Sequence, residues 1–206
     1  KATSMNLLDH SENFGEWGIQ NASVQTSGQS DPNGGQNAWL ISGGTAAAGG
    51  VTLDVSVTND KYYTLSGYFK KGTSTKTRLS IHYKYIEWDW SASGVPSLTD
   101  NSSEPSNITF TPVGTDGWYR ISFVWEATAT ATRTINIDPD RNNTNKTVYA
   151  FGAQLEETVY ESTGTEKITN GDFSDGTTDW STGNSGTLTV DNGALVVTGD
   201  GGSYAA

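Results

Sequence analysis

Alternation with a period of two runs through this chain and limits its fold more than any other feature. Along Tyr62–Lys71, Tyr63, Leu65, Gly67 and Phe69 fall on one face, and Tyr62, Thr64, Ser66, Tyr68 and Lys70 on the other. Thr77–Tyr85 repeats the pattern, with Leu79, Ile81, Tyr83 and Tyr85 against Arg78, Ser80, His82 and Lys84. Trp118–Ala127 sets Tyr119, Ile121, Phe123 and Trp125 on one side, Thr132–Asp138 offers Ile135 and Ile137, and Val148–Leu155 offers Tyr149, Phe151, Ala153 and Leu155. Earlier strands are expected at Ala22–Thr26, Ala38–Ser42 and Val51–Val57. Successive side chains of an extended backbone point to opposite faces, so this sidedness belongs to half-buried strands. No stretch shows the recurrence of an amphipathic helix.

Turn residues separate the runs: Asp31-Pro-Asn-Gly-Gly, Thr58-Asn-Asp, Lys71-Gly, Thr115-Asp-Gly and Arg141-Asn-Asn. Many short strands with polar outer faces predict an all-β fold, an antiparallel β-sandwich with a jelly roll as first choice. Only 33% of the 206 residues are hydrophobic, but 7 Trp, 9 Tyr and 6 Phe supply bulk for a core. That aromatic content separates the chain from disordered sequences of similar polarity.

Charge and residue usage exclude several functions. Twelve Lys and Arg against 23 Asp and Glu give a net charge of −11. Nucleic acid is therefore an unfit partner, since phosphates need a basic face, and an anionic membrane surface is disfavoured. No apolar run is long enough to span a bilayer, so no membrane insertion is expected. There is no Cys, which removes disulfides and thiol chemistry and fits assembly in a reducing cytoplasm. His10 and His82 alone are little material for a zinc site or a histidine-based triad. The chain starts at Lys1 without a signal peptide and reads as a processed product or a fragment of a longer polypeptide.

Glu87–Ser106 breaks the strand rhythm. It carries Trp88 and Trp90, then Gly94, Pro96 and Pro105 among Ser, Asp and Asn, and is expected to form a loop, followed by a brief strand at Ile108–Phe110. A second break falls at 161–166. Beyond it, Asn170-Gly-Asp-Phe to Trp180 echoes Asn6-Leu-Leu-Asp to Trp17. The expected organisation is a jelly-roll module at 1–160, a linker at 161–166, and the opening strands of a second β-module at 167–206, Thr187–Val190 and Ala194–Thr198. Those last residues are too few to bury a core of their own and are expected to be truncated or to lean on a neighbour.

Trp88 and Trp90 lie two apart, so in an extended segment both rings point the same way. The reading favoured by the residues alone is that they cover an open end of the sandwich or pack on a neighbouring chain. The alternative is a stacking platform for sugar faces, with Asp89, His82 and Lys84 hydrogen-bonding hydroxyls. After the Asp116-Gly117 turn, Tyr119 is expected in the core, Trp118 as a shield over the strand start, and Arg120 paired with a carboxylate on the outer face. Asp138, Asp140 and Asn142 form a D-x-D-x-N run. The sixth position, Asn143, is not the Gly of an EF-hand loop, nor the twelfth, Tyr149, its Glu, so a solvated turn is expected before a looser calcium site. Glu87 and Asp89 sit beside the aromatic segment without a flanking acid–base signature, so no catalysis is expected.

Taken together, Asn6-Leu-Leu to Trp17, Tyr63-Thr-Leu-Ser-Gly-Tyr-Phe-Lys-Lys-Gly, Asp116-Gly-Trp-Tyr-Arg-Ile-Ser-Phe and Val148-Tyr-Ala-Phe-Gly-Ala-Gln-Leu-Glu-Glu make residues 5–160 similar to a module of bacteriophage virion proteins, found in tail fibres, tail spikes and head or collar appendages. Asn170-Gly-Asp-Phe to Trp180 resembles the start of carbohydrate-binding modules of the four/nine type. The resemblance implies a non-enzymatic virion structural protein on the exterior of the particle. Its partners are other virion proteins and copies of itself, a trimer by family analogy, with host surface polysaccharide as a further contact. No cofactor is required. A structural calcium is what the second resemblance implies, near Asp172, Asp175 and Asp179 and, in the first copy, at Asp9, Glu12 and Glu16 with Glu156. The alternative is the carbohydrate-binding module of a secreted bacterial polysaccharide-degrading enzyme.

Overall fold

The computed structural model describes residues 5–21, 23–45, 48–158, 169–170, 172–182 and 186–199. The chain divides into two compact units, Lys1–Tyr160 and Glu161–Ala206. The linker expected at 161–166 lies outside the described residues, as does Ala22.

The first unit is built from β1 (Gly18–Ile19), β2 (Val24–Gln29), β3 (Ala38–Ser42), β4 (Val51–Val57), β5 (Lys61–Lys71), β6 (Lys76–Ile81), β7 (Lys84–Trp90), β8 (Pro96–Asn101), β9 (Ser106–Val113), β10 (Trp118–Ala127), β11 (Ala131–Asp138) and β12 (Thr147–Thr158), with one 3₁₀ turn at Phe14–Glu16. Sheet one runs β1-β4-β11-β6-β7-β8 and sheet two β2-β3-β12-β5-β10-β9. Every pairing in both sheets is antiparallel. The fold is an antiparallel β-sandwich of the jelly-roll kind. Strands adjacent in sequence repeatedly fall in different sheets, so the core forms only when both layers meet.

The core lies where the two inner faces interdigitate. Sheet one contributes Val51, Leu79, Ile81, Ile86, Trp88 and Ile135, and sheet two Ile41, Leu65, Phe69, Ile121, Phe123 and Leu155, all buried. Trp88 sits at the centre, its ring 5.4 Å from Phe69, 6.0 Å from Trp90 and 6.1 Å from Phe110. Several of these contacts are tilted or edge-on, the arrangement that the ring quadrupole favours.

Three expectations change. First, Glu87–Ser106 is not a loop. Residues 84–90 and 96–101 pair as β7 and β8, and the following strand, β9, is eight residues long. Trp88 and Trp90 are therefore inward-facing strand residues, 0% and 5% exposed, rather than rings over an open end or on a surface. Second, Thr77–Tyr85 is two strands joined by a turn at His82-Tyr83, with Ile81 opposite Lys84. Alternation carries straight through this turn, which hides it. Tyr83 is consequently 80% exposed rather than core, and Tyr85 faces outward over Arg78, whose guanidinium carbon lies 3.8 Å from the ring centre.

Third, β12 changes phase. Val148 and Ala150 face inward, Tyr149 and Phe151 outward, and then Ala153 and Leu155 inward again. The register slips between Phe151 and Gln154, where Gly152 takes φ +56. One extra residue in a strand exchanges its two faces, and Gly supplies the left-handed backbone. The opening segment lies along this part of β12. Asn6 Nδ2 donates to Ala153 O at 3.2 Å, while its Oδ1 accepts from Leu155 N at 3.0 Å and Leu8 N at 3.1 Å.

In the second unit, β13 (Thr187–Asp191) and β14 (Ala194–Thr198) form an antiparallel hairpin. Its turn is Asn192-Gly193, both at positive φ (48 and 78), the geometry that a two-residue hairpin with right-handed twist requires.

Candidate functional site

The outer face of sheet one carries a row of charges and a polar cleft. In the row, Glu87 accepts from Arg78 Nε at 3.0 Å and Nη2 at 2.8 Å, and Lys76 lies 3.2 Å from both Glu87 and Asp89. The two acids nearest the aromatic strand are thus held in ion pairs by β6. Burial works against the Lys76 charge, but hydrogen bonds to Asp89 and Glu87 hold its pKa above the ordinary value. Lys84 is paired with Glu104 across the end of the hairpin.

The cleft, of about 520 Å³, opens beside the β6–β7 turn. Its lining includes Gln20, Asn21, Ser80, Thr134, Asn136, Arg141 and, at the rim, His82 and Tyr83. Antiparallel pairing explains the gathering. Ser80 and Asn136 are cross-strand partners on β6 and β11, and the His82 backbone N–H donates to Thr134 O at 2.8 Å. Asn136 Nδ2 donates to Gln20 Oε1 at 2.6 Å, and Thr134 Oγ1 to Asp54 at 2.6 Å. Asn21 Nδ2 donates to Ala48 O at 3.2 Å. Asn136 Oδ1 accepts no hydrogen bond among the described residues.

His82 takes φ +58, so the turn projects the next side chain outward. The two rings meet at 4.2 Å with their planes 52° apart. Burial, and then the charges of Arg133 and Lys84, hold the imidazole below its ordinary pKa, so it is neutral at pH 7. The result is an aromatic ring held at the lip of a cleft lined by amides, hydroxyls, an imidazole and a guanidinium. This chemistry can stack on an apolar ring face and hydrogen-bond a set of hydroxyls.

Asp138, two residues past Asn136 on β11, stands behind Arg141, with Nη1 at 3.4 Å from its Oδ2. Burial raises its pKa from 3.8 to about 6, and the charges of Arg141 and Arg78 pull the other way. Its Oδ1 has no hydrogen-bond partner among the described residues.

The residues expected from sequence divide as follows. His82 lines the cleft, Asp89 is an outer-face ion-pair member, and Lys84, at the start of β7, pairs with Glu104. Trp88 and Trp90 belong to the core, with Trp90 Nε1 donating to Thr77 Oγ1 at 2.8 Å. Among the described residues, no three His, Asp or Glu gather closely enough to hold a metal ion. Asp140 is turned into its own loop, where it accepts from Asn142 N at 3.0 Å and Asn143 N at 3.1 Å. Asn142 is exposed there, as are Asp9, Glu12 and Glu16 around the 3₁₀ turn, while Glu156 lies on β12. Asp172 accepts from Ser174 N at 3.1 Å and Oγ at 2.9 Å, which holds its pKa down.

Sequence reading missed Tyr83, Asn136, Gln20 and Arg141 as a group. The only local signal was a Tyr beside a His, without the Gly or Asn that marks most hairpin tips. It also missed the outer face of sheet two, where Ala38, Trp118 and Phe151 form a small apolar group flanked by Tyr68, Val113 and Tyr149. Trp118 is buried there as expected of a shield. Arg120 departs from expectation, donating to Ser66 Oγ at 3.0 Å rather than to a carboxylate.

No family model and no curated protein matches the chain. Among solved structures, it is similar to the xylan-binding CBM22-1 domain of Xyn10C from Paenibacillus barcinonensis, at 15% identity and a TM-score of 0.48, over 76% of this chain and 97% of that one. It is also similar to TmCBM61, solved in complex with β-1,4-galactotriose, at 12% identity and 0.44, over 75% of this chain and 100% of that one. The enzymatically active domain of tailspike protein 4 from bacteriophage CBA120 is similar at 13% identity and 0.44, over 74% of this chain and 21% of that one.

Proposed function

We propose that this chain is a non-enzymatic β-sandwich module of a bacteriophage virion appendage, which packs with copies of itself and holds a saccharide of the host surface in the cleft beside Tyr83. One observation carries the saccharide part. Tyr83 is 80% exposed at the tip of a two-residue turn, at the rim of a cleft lined by polar side chains. What supports the reading is the placement: an anchored hairpin holds this ring against a polar cleft, where it can stack on a sugar face while the cleft side chains reach hydroxyls. The virion setting rests on the Gly-Trp-Tyr-Arg and Gly-Ala-Gln-Leu-Glu segments together. The non-enzymatic reading rests on Glu87 and Asp89, which are spoken for by Arg78 and Lys76.

The test is a panel of bacterial surface polysaccharides screened for retention of the wild type and of Tyr83→Ala. Retention of the wild type on at least one polysaccharide, weakened at least tenfold in the variant, is expected from loss of one stacked ring. Absence of retention across the panel, or equal retention of both proteins, overturns the saccharide reading. Sedimentation of the intact chain tests self-association, for which a mass three times 22.0 kDa is expected.

A further inference from the structure

We infer that the β13–β14 hairpin is a strand acceptor: the edge of β14, with the apolar face it shares with β13, takes up one extended segment that has the chemistry of β12. One device occurs in both units. Trp17 donates its indole N–H to His10 O at 3.1 Å and packs against Phe14 at 4.8 Å. Trp180 donates to Asn170 O at 2.9 Å and packs against Phe173 at 5.3 Å. A strand begins seven residues after each Trp, at Val24 and at Thr187, and each strand pairs with the next in a hairpin.

The second strands of the two hairpins agree position by position. β3 reads Ala38-Trp-Leu-Ile-Ser42, and β14 reads Ala194-Leu-Val-Val-Thr198. Trp39 and Ile41 face the core in the first. Leu195 and Val197 occupy the same positions in the second and share a face with Val190 and Leu188 through the register Val190↔Leu195 and Leu188↔Val197. The hairpin thus has one wholly apolar face, yet Val197 is 64% exposed.

In the first unit the free edge of β3 is closed by β12, in the register Ser42↔Thr147, Ile41↔Val148, Leu40↔Tyr149 and Trp39↔Ala150. In the second unit β13 and β14 form a sheet of two strands among the described residues. β14 carries none of the features that keep an edge from pairing: no charge, no proline and no bulge. Equivalence with β3 therefore fixes both the occupant and its register. A segment reading like Thr147–Thr158 runs antiparallel to β14, with its Thr147 equivalent opposite Thr198, Val148 opposite Val197, Tyr149 opposite Val196 and Ala150 opposite Leu195. This is strand addition, with backbone hydrogen bonds supplying affinity and alternate side chains supplying choice.

The test adds a synthetic peptide of sequence Thr147–Thr158 to the full chain and follows backbone amide exchange. Expected is at least tenfold slower exchange at the outward-pointing amides of Ala194–Thr198, saturating with peptide. β3 should not change, and a scrambled peptide should have no effect. Val197→Asp, at a position exposed in the hairpin, should abolish the protection, and a hairpin that is still cross-paired in the variant shows that folding is not the cause. Absence of protection at saturating peptide overturns the inference. So does protection that rises with protein concentration alone, because the edge then pairs with a second copy of itself.

Discussion

The β6–β7 hairpin has two ends that share a backbone and little else. At its base, Trp88 and Trp90 are sealed between the layers, and Trp90 is tied to Thr77. At its tip, Tyr83 stands in water against His82. The aromatic pair that most looks like a binding platform in the sequence is core, and the ring with the opposite reading is the one left free. Packing holds the base, and the base in turn fixes where the tip points. A mutation at one end should therefore move stability, and at the other end, recognition.

The largest test of that division is Trp88→Ala. The indole touches Phe69, Trp90 and Phe110 and its Nε1 has no partner among the described residues, so its whole contribution is packing. Truncation should cost about 3–5 kcal/mol in a urea or guanidinium titration, the range for a buried aromatic that leaves a cavity. A cost under ~1 kcal/mol would mean that the ring is not central and would erase the contrast between base and tip.

Asp138 is the next test, because it shares a strand face with cleft-lining Asn136 but is as deeply buried as Trp88. Burial raises its pKa from 3.8 to about 6. The folded state thus holds this proton more tightly than the unfolded chain, and stability falls as pH rises between about 4 and 6 and is level beyond. Asp138→Asn should remove that slope. The variant should match wild type near pH 3.5 and exceed it by roughly 2–3 kcal/mol at pH 7, at about 1.4 kcal/mol per pKa unit. Unfolding midpoints of both proteins across that range decide it, and parallel curves would show that Arg141 already neutralises the carboxylate.

What the sequence made legible follows the same line. Strands whose alternation ends at Gly or Asn turns, such as 38–42 and 51–57, read with their bounds intact, since sidedness and a stop signal coincide. Two places misled because a period of two cannot see a change of phase. At His82-Tyr83 the polypeptide reverses while alternation continues, so Tyr83 and Tyr85 seemed to share the face of Leu79 and Ile81. At Gly152 the strand stays extended while its faces exchange, so Tyr149 and Phe151 seemed to share the face of Leu155. The cleft was illegible for another reason: Gln20 and Asn136 are 116 residues apart and meet only through the order of strands in sheet one, which spacing does not encode.

The smallest effect on stability is expected at the tip itself. His82 holds φ +58, which costs an L residue other than Gly roughly 1 kcal/mol of strain. His82→Gly relieves that strain but gives the unfolded chain more freedom, a loss of about 0.5–1 kcal/mol of the opposite sign. The unfolding free energy should therefore stay within about 0.5 kcal/mol of wild type at pH 7, where the imidazole is neutral. Recognition should not stay constant, because the substitution takes away the ring that meets Tyr83 at 4.2 Å and one polar group of the cleft lining. Weaker retention on whichever polysaccharide holds the wild type, at unchanged stability, places the tip outside the folding core. A stability loss as large as that of Trp88→Ala would instead show that both ends of the hairpin belong to one packed unit, and that Tyr83 is exposed for reasons of folding rather than binding.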